Sequence, residues 1–409
     1  MSPSFLAWIR GDARPLSSKE LSQTISFARI TLVVGLVFLH YDSFPNSTVS
    51  PFHGLDVNAH QVATAINSFV LFCFFSVVPL LSLISGWLFF GFDEAKWTTS
   101  LRERARRRFT SLYLPLVFRN ALFVAILFAL YKLVPGHPLL DELNIHFATA
   151  SRRQFVNAVF AITKQPVGFQ FWFVRDLFVT SLVSPVLWIA MKRAPLVAAA
   201  ALGAGWIVDF NFWIFFRPDV VFFFFLGGIV RTRGISLELG REATTTFAVA
   251  YLTLMLLRTF APYAVDGAGP TAEKLLEVAT RGTRVIGALA CWGVFQRVAL
   301  TRVGDSVARF GSFAFFLHAV HYPFLGEMKI LLWRLLPAET DAWMLLHYVV
   351  SVAMTVVFGV GSGYLLARYW PAAFALMNGG REPAAARASD RDRPAATKLA
   401  PRLTDRAPA

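Results

Sequence analysis

The sequence predicts an all-α polytopic membrane protein: a bundle of about ten transmembrane helices around a polar central cavity, with both termini cytoplasmic. Three observations carry that expectation. Of the 409 residues, 56% are hydrophobic and only 16% charged, where a soluble domain carries roughly 25% charged residues. Apolar runs recur that are long enough for the roughly 20 residues a helix needs to cross a hydrocarbon core. Short basic clusters alternate between the connecting segments, as the positive-inside bias requires.

The expected spans are about 24–42, 66–90, 110–133, 169–190, 194–210, 214–230, 244–262, 283–300, 310–333 and 343–369. The first has no small-residue cleavage site after it and reads as a retained helix rather than a signal peptide. No Lys or Arg occurs between Ser43 and Ala65, whereas the next connection carries Lys96, Arg102, Arg104, Arg106, Arg107 and Arg108. That contrast places the N-terminus and the second connection inside, and an even number of spans brings the C-terminus back to the same side. Pro195, Gly203 and Gly205 interrupt the fifth span, and Arg217, Pro218 and Asp219 head the sixth. In the long outward loop from about Lys132 to Gly168, Phe155, Val156, Val159 and Phe160 lie at helical spacing beside Arg152 and Arg153, which suits a short amphipathic helix on the membrane surface or over a cavity. The resulting division is a cytoplasmic segment 1–23, a membrane domain 24–370 and a cytoplasmic tail 371–409, whose Ala, Pro, Arg and Asp from about Gly379 onward lack apolar periodicity and predict disorder.

The net charge of +14 is spread between apolar runs and does not form a nucleic-acid-binding face. Cys73 and Cys291 both lie within apolar runs, so neither a disulfide framework nor a zinc site is expected. The phosphate-binding loop of P-loop enzymes, a Rossmann glycine fingerprint and the Gly-x-Ser-x-Gly elbow are missing, which argues against a primary ATP-driven pump.

Ionisable residues within spans are costly and default to functional candidates. Arg29 and His40 are eleven residues apart. At 100° per residue that is three turns plus about 20°, so they share a face, about 16 Å apart along the axis. One polar stripe is therefore expected to join the two membrane sides. Asp42, about 200° around from His40, is poorly placed to orient the imidazole. Arg175 and Asp176 interrupt the fourth span, where they suit either a self-neutralising clamp between helices or a cavity. The Arg102–Arg108 cluster serves as a topology anchor that attracts anionic lipid headgroups, or as a phosphate-gripping mouth. His318 and His321 share a helix face, but without a third ligand no metal site is expected, and a hydrogen-bonding role in the cavity fits better.

In chain order, these residues resemble the membrane-bound acyltransferase family 3, bacterial multi-span O-acyltransferases. The matching features are Arg29 with His40; Ser85-Gly86-Trp87-Leu88; the Arg-x-Arg cluster followed by Leu114-Pro115; Trp172-Phe173-Val174-Arg175-Asp176-Leu177; and Phe316-Leu317-His318. The cluster offers several Arg-x-Arg registers, Arg102/Arg104 and Arg104/Arg106 among them. The resemblance implies a multi-pass protein of the bacterial inner membrane that transfers an acyl group, acetyl in the commonest case, from cytosolic acyl-CoA to a hydroxyl of an extracytoplasmic or lipid-linked glycan. Acetyl-CoA or another acyl-CoA is then a co-substrate, with no metal, and the partners are donor, glycan acceptor and membrane lipid. Arg102, Arg104 and Arg106 would hold the CoA phosphates, and His40 would be general base. Arg29 or Arg175 would stabilise the oxyanion, with Asp176 beside them, and Ser85, Gly86, Trp172 and His318 would line the substrate cavity. Direct transfer and an acyl-His40 intermediate both fit. The alternative from the residues alone is a glycolipid or small-molecule transporter or flippase, which would use the same buried charges without covalent chemistry.

Overall fold

The structure, a computed structural model, describes residues 3–47, 49–140, 143–265, 269–337 and 339–381. Among these residues all regular structure is helical. A short helix α1 (Pro3–Arg10) precedes α2 (Ser18–His40). Ser17 starts α2 through a capping box: its side chain accepts from the backbone N–H of Glu20, whose carboxylate accepts from the N–H of Ser17. The second expected span is broken at Phe74–Ser76 into α3 (Gln61–Cys73) and α4 (Val77–Phe89). Next, α5 (Trp97–Arg108) runs through a π-helical turn, Phe109–Tyr113, into α6 (Leu114–Leu133). The amphipathic segment forms α7 (Arg152–Phe160), started by a second capping box from Ser151 and Gln154.

The fourth span is bent by 61° between α8 (Trp172–Leu182) and α9 (Ser184–Arg193). Pro185 sits at the bend and removes a helical N–H there. The remaining helices are α10 (Pro195–Ile207), α11 (Pro218–Thr232), α12 (Arg241–Val265), α13 (Pro270–Val298), α14 (Arg302–Ala308), α15 (Ala314–Leu335), α16 (Asp341–Tyr369) and α17 (Pro371–Met377). Helix α15 is kinked at Tyr322, whose φ/ψ of −113°/134° is non-helical, just before Pro323.

Each of the ten expected spans coincides with one helix or a broken pair. Length and composition, however, qualify five segments to cross a membrane, namely Ser18–His40, Gln61–Phe89, Glu94–Leu133, Arg241–Ala264 and Asp341–Tyr369, and a sixth if the bent pair α8–α9 is one span. Helices α10 and α11 are short, α13 carries charges through its first half, and His318, His321, Glu327 and Lys329 dilute the apolar run of α15. The expected tail starts late: α17 packs Phe374 against Phe313 and Phe316, and residues 382–409 lie outside the described residues.

Helices α4 and α11 approach one another closely, backbone to backbone. A Cβ on Gly86 would lie 1.9 Å from the carbonyl oxygen of Phe224, and one on Gly227 would lie 2.1 Å from that of Leu83. Small residues facing one another let two backbones touch, the usual basis of helix association in lipid. The outer faces are apolar instead. On α12, Val249, Leu252, Leu256 and Leu257 are exposed at helical spacing, and Leu196 at the start of α10 is 82% exposed. Hydrocarbon tolerates such surfaces where water would not.

Candidate active site

Two cavities adjoin the same helices. The larger, about 1570 Å³, is lined by Leu36, Leu39 and His40 from α2, Phe169 and Trp172 at the start of α8, Arg217 before α11, and Tyr322 and Lys329 from α15. The smaller, about 700 Å³, takes Ser26, Arg29 and Val33 from α2, Ser85 from α4, Arg108 from α5, Phe173 and Val174 from α8, and His318 from α15. Arg29 and His40 thus both face cavities, but different ones, and the expected stripe is divided. The wall is thin: Val33 and Leu36 are one turn of α2 apart, a rise of about 5 Å.

His40 lines the larger cavity about one turn of α2 beyond Leu36, and its Nδ1 is 2.7 Å from Nε2 of His321, with the two rings parallel. His321 is fully buried (0% exposed), and its own Nδ1 lies 3.3 Å from the carbonyl oxygen of Leu317 one turn back. A carbonyl only accepts, so Nδ1 of His321 carries the proton and its Nε2 accepts. Nδ1 of His40 must then donate, which leaves Nε2 of His40 as an unprotonated base with no protein partner among the described residues. The orienting group missing from the sequence reading of Asp42 is therefore His321, whose distance in sequence concealed it.

The kink that presents these rings is itself satisfied. Pro323 cannot offer the N–H that the carbonyl of Ala319 would take in a straight helix. The buried Gln170 donates instead from Nε2 to the carbonyls of Ala319 (3.2 Å) and Tyr322 (3.1 Å). Beyond His40 the chain is held by Tyr41, whose hydroxyl pairs with Nδ1 of His347 at 2.9 Å, and by Asn67, which donates to the carbonyl of Asp42 at 2.8 Å.

Arg175 and Asp176 lie together but line neither cavity. Arg175 donates to the carbonyls of Ala161 (3.1 Å), Ile162 (2.8 Å) and Ile214 and to Asp176 (2.9 Å). Asp176, 0% exposed, also accepts from the backbone N–H groups of Phe216 and Arg217, each at 2.9 Å. The pair is a clamp that seats the segment before α11. Its effect on the larger cavity is indirect: it fixes Arg217, whose guanidinium lies 4.7 Å over the Trp172 ring and which lines the same cavity as His40. Arg217 heads an apolar run and was legible in the sequence only as an interruption.

The arginine cluster divides by helix face. Arg102 and Arg106 are exposed on α5. Arg104 is committed to the last carbonyls of the α4 end, donating to Leu88 and Gly91 at 2.8 Å each. Arg108 alone of the cluster enters the smaller cavity, where it donates to Oγ of Ser85 at 2.7 Å. Ser85 thus lines a cavity, whereas its neighbour Gly86 is spent on the contact with α11. His318 lies 5.8 Å from His321 between ring centroids, and its Nδ1 is buried without a partner. The smaller cavity has four arginines, Arg29, Arg108, Arg309 and Arg381, and no Asp or Glu among the described residues lining it. The larger is mixed: Arg284 pairs with Asp219 and Arg281 with Asp209, each at 3.1 Å, among aromatic rings.

The chain is a helical bundle with apolar outer faces, an oriented imidazole lining one cavity and an arginine-rich lining in the other. Residues 23–367 match the acyltransferase family 3 model, described as an acyltransferase domain, and the chain belongs to that family. It is 26% identical over 366 residues to the succinoglycan biosynthesis protein ExoH of Rhizobium meliloti (strain 1021), covering 88% of this chain and 93% of that one. No solved structure matches it significantly.

Proposed function

We propose that this acyltransferase moves an acyl group, acetyl in the simplest case, from acyl-CoA to a hydroxyl of a polysaccharide or lipid-linked glycan. The observation that carries the reading is the Leu317–His321–His40 hydrogen-bond chain, which aims a basic Nε2 at the larger cavity. There the acceptor hydroxyl gives its proton to Nε2 of His40 as its oxygen attacks the thioester carbonyl. The tetrahedral intermediate collapses with cleavage of the C–S bond, and the imidazolium returns the proton to the CoA sulfur. Arg217 supplies positive charge toward the oxyanion on the His40 side of the wall. Arg29 and Arg108 hold donor phosphates in the smaller cavity, because guanidinium forks match phosphate oxygens. Exposed Arg102 and Arg106 steer the anionic donor toward that mouth. The relative's printed role in succinoglycan biosynthesis supports a polysaccharide acceptor, and the mixed-charge, aromatic-lined larger cavity of this chain suits a polyol.

This reading sets the arginine-rich end in the cytoplasm of a bacterial inner membrane, with ten helical segments crossing or dipping into the bilayer and both termini inside. The test is release of CoA thiol and O-acylation of a glycan acceptor by membranes holding the full chain. Wild-type protein should release thiol only when both substrates are present, and His40→Ala should abolish it. Glycan movement without thiol release would instead make the protein a flippase.

A further inference from the structure

The smaller cavity is completed by a part of the chain outside the family match of 23–367. After α17 the backbone reverses through Gly379 and Gly380, at φ 65° and 73°. That left-handed region favours glycine, and a Cβ on Gly379 would in addition lie 2.1 Å from the carbonyl oxygen of Ser111. Asn378 is fully buried and locks the turn, donating from Nδ2 to the carbonyls of Ser312 (3.0 Å) and Arg381 (2.9 Å).

The turn throws Arg381 into the cavity. Its guanidinium lies 4.5 Å over the Phe315 ring, and Nη1 donates to the carbonyls of Ser111 (3.1 Å) and Asn378 (2.8 Å). Nε and Nη2 have no protein partner among the described residues. Burial, with Arg29 nearby, pushes the guanidinium down to about 10, which leaves it cationic at neutral pH. Among the described residues Arg29 likewise has no carboxylate partner, and the hydrogen bonds of Arg108 go to Ser85. Arg29, Arg108 and Arg381 thus share a chamber with no acidic residue among its described lining, and a bound anion would relieve their mutual repulsion.

We propose that the strap Asn378–Arg381 is part of the donor site, with Arg381 gripping a phosphate oxygen of the CoA moiety alongside Arg29 and Arg108. This rests on the donor reading of the smaller cavity. An anionic lipid headgroup carries the same oxyanion chemistry, and the test separates the two sources.

Binding of CoA to the full chain is measured by calorimetry in nanodiscs of phosphatidylcholine alone and with added phosphatidylglycerol. Arg381→Ala should weaken CoA about tenfold in both, the loss of one charge-assisted contact, and Arg381→Lys by less. Turnover of acyl-pantetheine, which lacks the phosphates, should be unchanged by either substitution. A CoA affinity within twofold of wild type in Arg381→Ala overturns the proposal. So does an equal loss with acyl-pantetheine, the mark of a merely structural residue, and so does an effect confined to phosphatidylglycerol discs, which assigns the arginine to lipid. Should Arg381→Ala not fold, Arg381→Gln, which keeps the carbonyl bonds of a planar amide, replaces it under the same criteria. Arg108→Ala separates this from the underlying reading: if it too leaves CoA binding unchanged, the donor site is elsewhere, whereas an effect of Arg108 without one of Arg381 removes the strap alone.

Discussion

The two chambers share four helices, α2, α4, α8 and α15, yet differ in kind. The larger balances its charges, pairing Arg284 with Asp219 and Arg281 with Asp209 among aromatic rings. The smaller has Arg29, Arg108 and Arg381 with no carboxylate among its described lining residues, while its fourth arginine, Arg309, pairs with Asp305 at 2.8 Å. A balanced, aromatic chamber suits a neutral, many-hydroxyl ligand, and an unbalanced cationic one suits a polyanion. The proposed division between acceptor and donor rests on that difference in charge across a wall about one turn of α2 thick, with His40 on its larger-cavity side.

The sharpest way to break that comparison is at the wall. Replacing His40 by Ala should lower O-acylation by roughly 100-fold or more, the usual contribution of a general base; membranes that keep full CoA-thiol release would remove His40 from the chemistry. His321→Ala should cost about 10- to 100-fold in kcat with both KM values little changed, since it frees the tautomer of His40 without touching either ligand. His321→Gln retains a carbonyl acceptor for Nδ1–H and should recover part of that loss; an equal defect in both variants would point to packing.

Smaller effects sharpen the division between chambers. Arg108→Ala should raise the KM for acyl-CoA about tenfold while leaving that for acceptor within twofold. Arg104→Ala, by contrast, removes bonds to Leu88 and Gly91, and should move thermal stability in detergent rather than donor KM. Gly86→Ala belongs with it: forcing a methyl against the Phe224 carbonyl should cost about 1–3 kcal/mol of stability, read as a lower melting temperature, with donor and acceptor KM both unchanged.

Much of the helical frame was legible because lipid imposes simple patterning. Every expected span falls on a helix, and the amphipathic segment around Phe155 is a helix as foreseen. The crossing count was less legible, because α10 and α11 are shorter than apolar content alone suggests and α8–α9 is bent at Pro185. The site was legible in type but not in partnership. Arg175 and Asp176 satisfy one another and three backbone carbonyls, the clamp that adjacency allows but does not select. Arg108 rather than Arg102, Arg104 or Arg106 enters the cavity, since residues along one helix point in different directions and only the neighbouring α4 decides which face is covered.

By itself the sequence determined a helical, lipid-facing protein with an imidazole and a guanidinium on one face of α2, because a 3.6-residue period and apolar run length are local properties. Tertiary structure alone decided that those two groups face different chambers, that His321 holds His40 across 281 residues of chain, and that the segment after α17 folds back on the arginines. Such pairings depend on where a kink and a glycine contact bring distant helices together, and no local periodicity encodes that distance.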